Sequence, residues 1–282
     1  MSKPASVLPA SGGCDTEVAF RQIFRHKGAM TLHSGNYDYI IAKLIALGAA
    51  PGARVLDFGC GAGEVVALGL ARGLDMQGVD TVEYNPEGWH ATLPPQAAGR
   101  IHKITQGPLP FGDGTFDFVI SNQVFEHVRD PGPPLADIHR VLRPGGRFLA
   151  MFPSAETWYE GHTKLYFAHW LAGWPKTQSA YVGAMLRLGL ANRAVSAGDV
   201  PRKDYLMRAL REGFYPRRLS EISALWRKAF GAPPQSIAGD LLRERLRLRG
   251  GRFSAPPPVF DPLLSFISRA RLGEALLVAK AG

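Results

Sequence analysis

The chain has 282 residues, 46% of them hydrophobic and 20% charged, with only two cysteines, Cys14 and Cys60. That length can bury a full core, and the cysteine count excludes a disulfide framework or a four-ligand zinc site, so a reducing compartment and a cytoplasmic location are expected. The formal charge is +9, and fifteen Lys/Arg against six Asp/Glu between Arg187 and Arg252 account for all of it. Such a segment suits nucleic acid, an anionic membrane surface or an acidic substrate, and equally a solvated arginine-rich face. No stretch approaches the length of a membrane-spanning helix, and Met1 to Cys14 lacks the apolar core of a secretory signal.

In chain order, residues 1–15 read as a disordered N-terminus. From Thr16 to about Leu47 the pattern is helical, broken near His33 to Asn36, and Tyr37 to Ile45 spaces its apolar residues three and four apart. Asn36 is expected to cap that helix, and Gly48-Ala49-Ala50-Pro51-Gly52 to end it. Arg54 to Asp57 then reads as a short buried strand closed by an acid, followed by Gly59, Gly61 and Gly63 and a helix-like pattern from Glu64. Glycines at such a turn let strand pass sharply into helix and let a ligand lie on the backbone, where the helix N-terminus offers its N–H groups to an anion. The stretch is therefore a nucleotide-type site. A dinucleotide fingerprint is G-x-G-x-x-G, but here Gly63 comes one residue early, Glu64 takes the last glycine's place, and Asp57 adds a second acid. Two carboxylates repel a pyrophosphate and suit a ligand bearing an ammonium and a sulfonium, which is S-adenosylmethionine.

Short apolar strands follow at Met76 to Asp80, Ile101 to Ile104 and Phe116 to Ile120, then a helix at Pro134 to Leu142 and a fifth strand at Arg147 to Phe152. This alternation implies a mostly parallel sheet covered on both faces, with ligands beyond the carboxyl ends of the strands. Asp57, Asp80, Gln106 and Asn122 all fall on that rim, and Asp80, 21 residues after Gly59, can accept both hydroxyls of an adenosine ribose. Residues 153–215 break the alternation and are rich in aromatics and histidines, as an insertion overhanging the rim would be. A helix is expected between Tyr215 and Phe230, with no clean capping box at Ser220-Glu221 to mark its start, and Leu242 to Arg249 fits strand and helix alike.

The run Val55-Leu56-Asp57-Phe58-Gly59-Cys60-Gly61-Ala62-Gly63 resembles motif I of the class I S-adenosylmethionine-dependent methyltransferases. Leu109 to Val119 with Glu126-His127-Val128-Arg129-Asp130-Pro131, and Arg140-Val141-Leu142-Arg143-Pro144-Gly145-Gly146, are similar to runs of their type-11-like members. The resemblance covers residues 54–152 and implies a Rossmann-like seven-stranded sheet with helices on both faces and an antiparallel last strand at Glu274 to Lys280. The methyltransferase domain would span 16–282, with 153–215 as a substrate-cap insertion after the fifth strand. The implied cofactor is S-adenosyl-L-methionine, held by Asp57, Gly59, Cys60, Gly61, Asp80, Thr81, Asn122 and Gln123. Gln106 stands near where the family often has an acid for the adenine amino group, with Phe111 as a further adenine contact.

Methyl transfer to oxygen or nitrogen draws on a base near neutral pH, which favours histidine. His127 follows the fourth strand at the rim, while His162 and His169 lie in the insertion; these are the catalytic candidates. No metal-ligand spacing is present, so no metal is expected. The expected acceptor is a small or lipid-linked molecule. The alternatives are an RNA methyltransferase using the basic segment, and a non-catalytic adenosylmethionine-binding protein.

Overall fold

Alternate residues of each central strand pack on opposite sides of one sheet. In β1 (Arg54–Phe58) Val55 joins one core and Leu56 the other; later in the chain Phe118 and Ile120 oppose Val119, and Leu149 and Met151 oppose Phe148 and Ala150. This period of two, with both faces apolar, is what a sheet sandwiched between helix layers requires. The computed structural model describes residues 34–81, 95–104, 107–161, 163–191, 201–211, 214–248 and 256–282. Contacts divide the chain after Ser34, and the fold is that of Gly35–Gly282; the expected disorder of residues 1–15 and His33 lie outside the described residues, while Ser34 to Asn36, where a helix break was expected, are already helical.

The remaining strands are β2 (Asp75–Thr81), β3 (Ile101–Ile104), β4 (Phe116–Asn122), β5 (Leu142–Phe152), β6 (Tyr159–Glu160), β7 (Leu165–Tyr166), β8 (Gln235–Ser236) and β9 (Glu274–Ala279). Seven form the main sheet in the order β3-β2-β1-β4-β5-β9-β8, while β6 and β7 pair as a separate hairpin. Strands β1 to β5 are mutually parallel, and β9 inserts antiparallel beside β5. Because β8 is antiparallel to β9, it runs with the parallel set, leaving the last strand as the reversed one. The helices are α1 (Ser34–Ala46), α2 (Glu64–Leu70), α3 (Gly132–Val141), α4 (Pro175–Arg187), α5 (Arg202–Arg211), α6 (Leu219–Phe230), α7 (Ala238–Leu248) and α8 (Asp261–Arg271). Tyr39, Ile40 and Leu44 of α1, Val65 and Val66 of α2 and Leu241 of α7 cover one face of the sheet. Leu135 and Ile138 of α3 and Ile222, Trp226 and Phe230 of α6 cover the other, where the Trp226 ring stacks on Phe148 at 5.9 Å.

Four local expectations are revised. Asn36 is inside α1 rather than capping it, because its amide is engaged elsewhere: Nδ2 donates to Asn122 Oδ1 at 3.1 Å, and Oδ1 accepts from Arg245. Strand β5 starts at Leu142, five residues before Arg147, since Leu142 already pairs with Phe116 ahead of a register shift in β4. Helix α6 starts at Leu219, and its mark is Glu221, whose carboxylate accepts the Arg218 N–H at 3.1 Å and so supplies the reaching-back half of a capping box. The ambiguity over Leu242 to Arg249 resolves, as far as Leu248, as helix α7, anchored to α1 where Tyr39 Oη and Lys43 Nζ donate to Asp240 at 3.1 and 2.8 Å; Arg249 lies outside the described residues.

Residues 153–215 separate β5 from α6 and carry the β6–β7 hairpin, a 3-10 turn at Ala168–Leu171, α4 and α5. They build a third apolar cluster of their own, with Leu165, Val182, Leu206, Met207 and Leu210 among its buried members.

Candidate functional site

The loop after β1 is tied to β2: the N–H groups of Gly59 and Cys60 both donate to Val79 O, at 2.9 and 3.0 Å. Each glycine meets a different demand. Gly59 has φ +80°, and a Cβ there would lie 2.2 Å from Val124 Cγ2 in the segment leaving β4. Gly63, at φ +75°, is packed equally closely against Ile101 Cδ1, 2.3 Å from where its Cβ would be. Gly61 (φ +51°) alone of the three opens onto free space. Two glycines thus fit the loop to its neighbours, and one leaves backbone open to a ligand. Gly78 in β2 belongs with the first two, since a Cβ there would stand 2.7 Å from Cys60 Sγ. The sequence does carry a sign of this, an isolated glycine inside a strand.

Two carboxylates wall the loop. Asp57 is 2% exposed, and burial, reinforced by the charge of Asp80, pushes its carboxyl up to about 8. Asp80 is also raised by burial, but less freely, because Oδ2 accepts the Gly61 N–H at 2.6 Å and Oδ1 accepts the Thr81 N–H at 2.7 Å. Burial and then these two acids push the Cys60 thiol up, so it stays protonated and is no nucleophile. Thr81 is exposed at the end of β2.

At the end of β4, Asn122 is held by Asn36, and Gln123 adopts φ +60° while its N–H donates to Met151 O at 2.7 Å. A side chain held in the left-handed region at this turn is local strain fixed by its surroundings. His127 follows, half-buried, with its N–H on Val124 O at 2.8 Å. This turn is stapled from the far side of the insertion. The Tyr215 N–H donates to Glu126 O at 2.6 Å, and the Arg217 guanidinium donates to the carbonyls of Phe125 (3.2 Å), Val128 (2.7 Å) and Arg129 (2.7 Å). Nothing in the local sequence singles out Arg217, because its partners are backbone atoms some 90 positions earlier.

His169 is 6% exposed within residues 153–215, edge-on to Phe214 at 6.2 Å, and burial holds its imidazole below the ordinary range against the pull of Glu160 and the backbone of Ala155 and Thr157. His162 and Gln106 lie outside the described residues. Phe111 packs edge-on between His102 (5.1 Å) and Phe116 (4.9 Å). Among the described residues no group of three or more His, Cys, Asp or Glu gathers as metal ligands, and no helix is long and apolar enough to cross a membrane.

Residues 56–150 match the family model described as a methyltransferase domain. An uncharacterised methyltransferase of Mycobacterium sp. (strain JLS) is 37% identical over 124 residues, covering 44% of this chain and 48% of that protein. The ubiquinone biosynthesis O-methyltransferase of Maricaulis maris is 30% identical over 125 residues, covering 44% and 49%. The chain thus spans about half the length of the curated relatives it matches. A solved structure of a putative sarcosine dimethylglycine methyltransferase from Galdieria sulphuraria aligns over 87% of this chain and 85% of that one, with 17% identity and a TM-score of 0.43. Over residues 56–150 the motifs and the family match agree on a methyltransferase domain, and the order of the sheet is consistent with it.

Proposed function

We propose that the chain transfers a methyl group from S-adenosylmethionine to an oxygen or nitrogen atom of a small or lipid-linked acceptor. The observation that carries this reading is the pair of acids beside an open glycine. Asp57 is raised by burial and by Asp80, and a Cβ at Gly61, whose N–H donates to Asp80, would meet open space. A pyrophosphate would meet repulsion there, whereas a ligand with positive ammonium and sulfonium groups relieves it.

When bound, the cofactor supplies an electrophilic methyl on sulfur, and its in-line displacement needs alignment and exclusion of water more than chemical assistance. The chain's own residues supply the alignment. Asp80 takes the ribose hydroxyls, exchanging the backbone donors it now holds, while Asp57 faces the ammonium. The loop of Gly59, Cys60 and Gly61, tied to β2 and open at Gly61, lines the place of the cofactor's methionine end, and Thr81, Asn122 and Gln123 complete the wall at the strand ends. Gln106, outside the described residues, is proposed as the adenine contact. His127, half-buried on the turn stapled by Arg217, is the residue placed to accept the acceptor's proton. We assign residues 153–215 as the cap that closes over the acceptor, with His162 as the proposed acceptor contact and His169 as a neutral packing group inside it.

Calorimetric titration tests the reading. S-adenosylhomocysteine should bind where NAD and NADP do not, and Asp80→Ala should weaken it at least tenfold, about 1.4 kcal/mol. Binding of a nicotinamide nucleotide in its place would overturn the assignment of the loop.

A further inference from the structure

Helices α1 and α7 reach the carboxyl end of β4 through a chain of three side chains. Arg245 in α7 donates from Nη2 to Asn36 Oδ1, and Asn36 in α1 donates from Nδ2 to Asn122 Oδ1 at 3.1 Å. This chain has only one polarity. An arginine carries five N–H donors, no acceptor and a charge it does not lose, so Asn36 must turn its oxygen toward it. The Asn36 amino group is then left for Asn122, which must answer with its own oxygen, and the Asn122 amino group is left over. An isolated asparagine amide turns over freely and exchanges donor for acceptor; this one is held by a cation two side chains away.

The leftover donor lies beside the glycine loop. Phe118, Ile120 and Asn122 alternate along β4 onto the sheet face where Val55 and, two residues on, Asp57 lie in β1, and Ile120 pairs with Asp57 across the two strands. The turn that follows Asn122 touches the loop, since Val124 is what a Cβ on Gly59 would strike. Among the described residues no hydrogen bond uses the Asn122 amino group, and it is not one of the unpartnered polar atoms sealed in the interior. It is a donor open to a ligand.

The loop calls for such a donor. The N–H groups of Gly59 and Cys60 are engaged with Val79 O, that of Gly61 with Asp80 and that of Gly63 with Cys60 O. A ligand that carries both an ammonium and a carboxylate has its cation answered by the two acids, while its carboxylate finds no free donor among these four amides. We propose that Arg245 and Asn36 are positioning residues that lock Asn122 as a hydrogen-bond donor to the carboxylate of the cofactor's methionine end. The inference rests on the function proposed above and adds to it two residues from helices outside the segment that carries the family match.

Calorimetric titration with two ligands tests it. S-adenosylhomocysteine carries the carboxylate; methylthioadenosine shares its adenosine and thioether but lacks the amino-acid end. Asn36→Asp still accepts from Arg245 but offers Asn122 an oxygen, so the Asn122 amide turns over and presents its own oxygen to the ligand. This variant should bind S-adenosylhomocysteine about tenfold more weakly, the size of one hydrogen bond to a charged group, and bind methylthioadenosine as the wild type does. In an Asn122→Ala background, already weakened for S-adenosylhomocysteine, Asn36→Asp should add no further loss. Arg245→Met, which removes the lock and leaves both amides, should weaken S-adenosylhomocysteine several-fold and again spare methylthioadenosine. Undiminished binding of S-adenosylhomocysteine by Asn36→Asp would overturn the proposal. So would an equal loss of both ligands, which would mark the chain as packing alone, or a loss that persists in the Asn122→Ala background, which would mark it as an effect of the added charge. A wild type that binds neither ligand overturns the proposed function and this inference with it, whereas a wild type that binds S-adenosylhomocysteine and a variant that matches it remove the inference alone.

Discussion

Asp57 is a buried acid with an unusual pH signature. Its carboxyl titrates near 8 in the fold and near 3.9 in an unfolded chain, so between those values the folded protein binds more protons than the unfolded one. Stability of the ligand-free protein therefore falls as pH rises through that window, by up to about 1.4 kcal/mol per pH unit for one group. Asp57→Asn should flatten the fall, read as the difference between wild-type and variant urea melts at pH 5.5, 7 and 8.5; parallel melts for the two proteins would refute it. A cationic ligand reverses the preference, because it favours the carboxylate. Affinity for S-adenosylmethionine should rise with pH toward 8, with proton release visible as a buffer-dependent binding enthalpy, and both effects should vanish in Asp57→Asn. Arg217 is the second residue whose role is set by its partners. Removing its guanidinium strands the carbonyls of Phe125, Val128 and Arg129. Arg217→Met should cost about 2 kcal/mol, a melting-point drop of roughly 4–8 °C. Arg217→Lys should recover little of it, since one ammonium cannot span carbonyls that a fork of five N–H donors reaches. Faster amide exchange confined to residues 125–129 would locate the damage; unchanged exchange there would contradict the stapling role.

At the scale of elements, the strand–loop–helix unit from β1 to α2 shows why some of the chain was legible and some was not. The three glycines, the acid ending β1 and the acid ending β2 are read directly from spacing, because backbone conformation at a ligand loop restricts residue type locally. Which glycine serves packing and which serves a ligand depends on Val124 and Ile101, residues that meet the loop only after folding. The two roles give separable outcomes. Gly59→Ala should lower stability by about 1–3 kcal/mol, from a methyl driven into Val124 at an unfavourable φ, and lose binding with it. Val124→Ala should restore part of that stability but not all, since the φ of Gly59 remains. Gly61→Ala should cost only about 1 kcal/mol of stability, because its methyl meets nothing, and yet weaken S-adenosylhomocysteine more than tenfold. Equal affinity in wild type and Gly61→Ala would mean that no ligand lies on that backbone. The missed boundaries have the same origin as the hidden roles. Leu142 opens β5 because Phe116 pairs with it, and Asn36 sits within α1 because Asn122 and Arg245 take its amide; both causes are distant in sequence.

Over the whole molecule, the sheet order follows from alternation and apolar period, which are properties of each segment alone, and the reversed last strand was expected from the family resemblance. Residues 153–215 were legible only as a break in the alternation, and their apolar cluster of Leu165, Val182 and Leu206 emerges from residues spaced along three separate elements. Charge is the property that composition misplaces most. The excess of fifteen basic over six acidic residues between Arg187 and Arg252 looks like one patch in sequence, but four of its arginines are each committed to a separate partner. Arg217 is spent on backbone carbonyls, Arg243 on Asp261, Arg245 on Asn36 and Arg247 on Glu244. A nucleic-acid groove needs free cations in a continuous track, typically interleaved with stacking aromatics, and these arginines, on α7 and in the segment before α6, are each engaged with a different partner. Binding of a structured RNA, followed by fluorescence anisotropy, should therefore be weak and non-specific, with a dissociation constant above about 10⁻⁶ M at physiological salt and a steep loss as salt rises. The double variant Arg243→Gln/Arg247→Gln should leave it nearly unchanged. Tight binding that survives physiological salt and is lost in that variant would restore the nucleic acid as acceptor and make the basic segment its track.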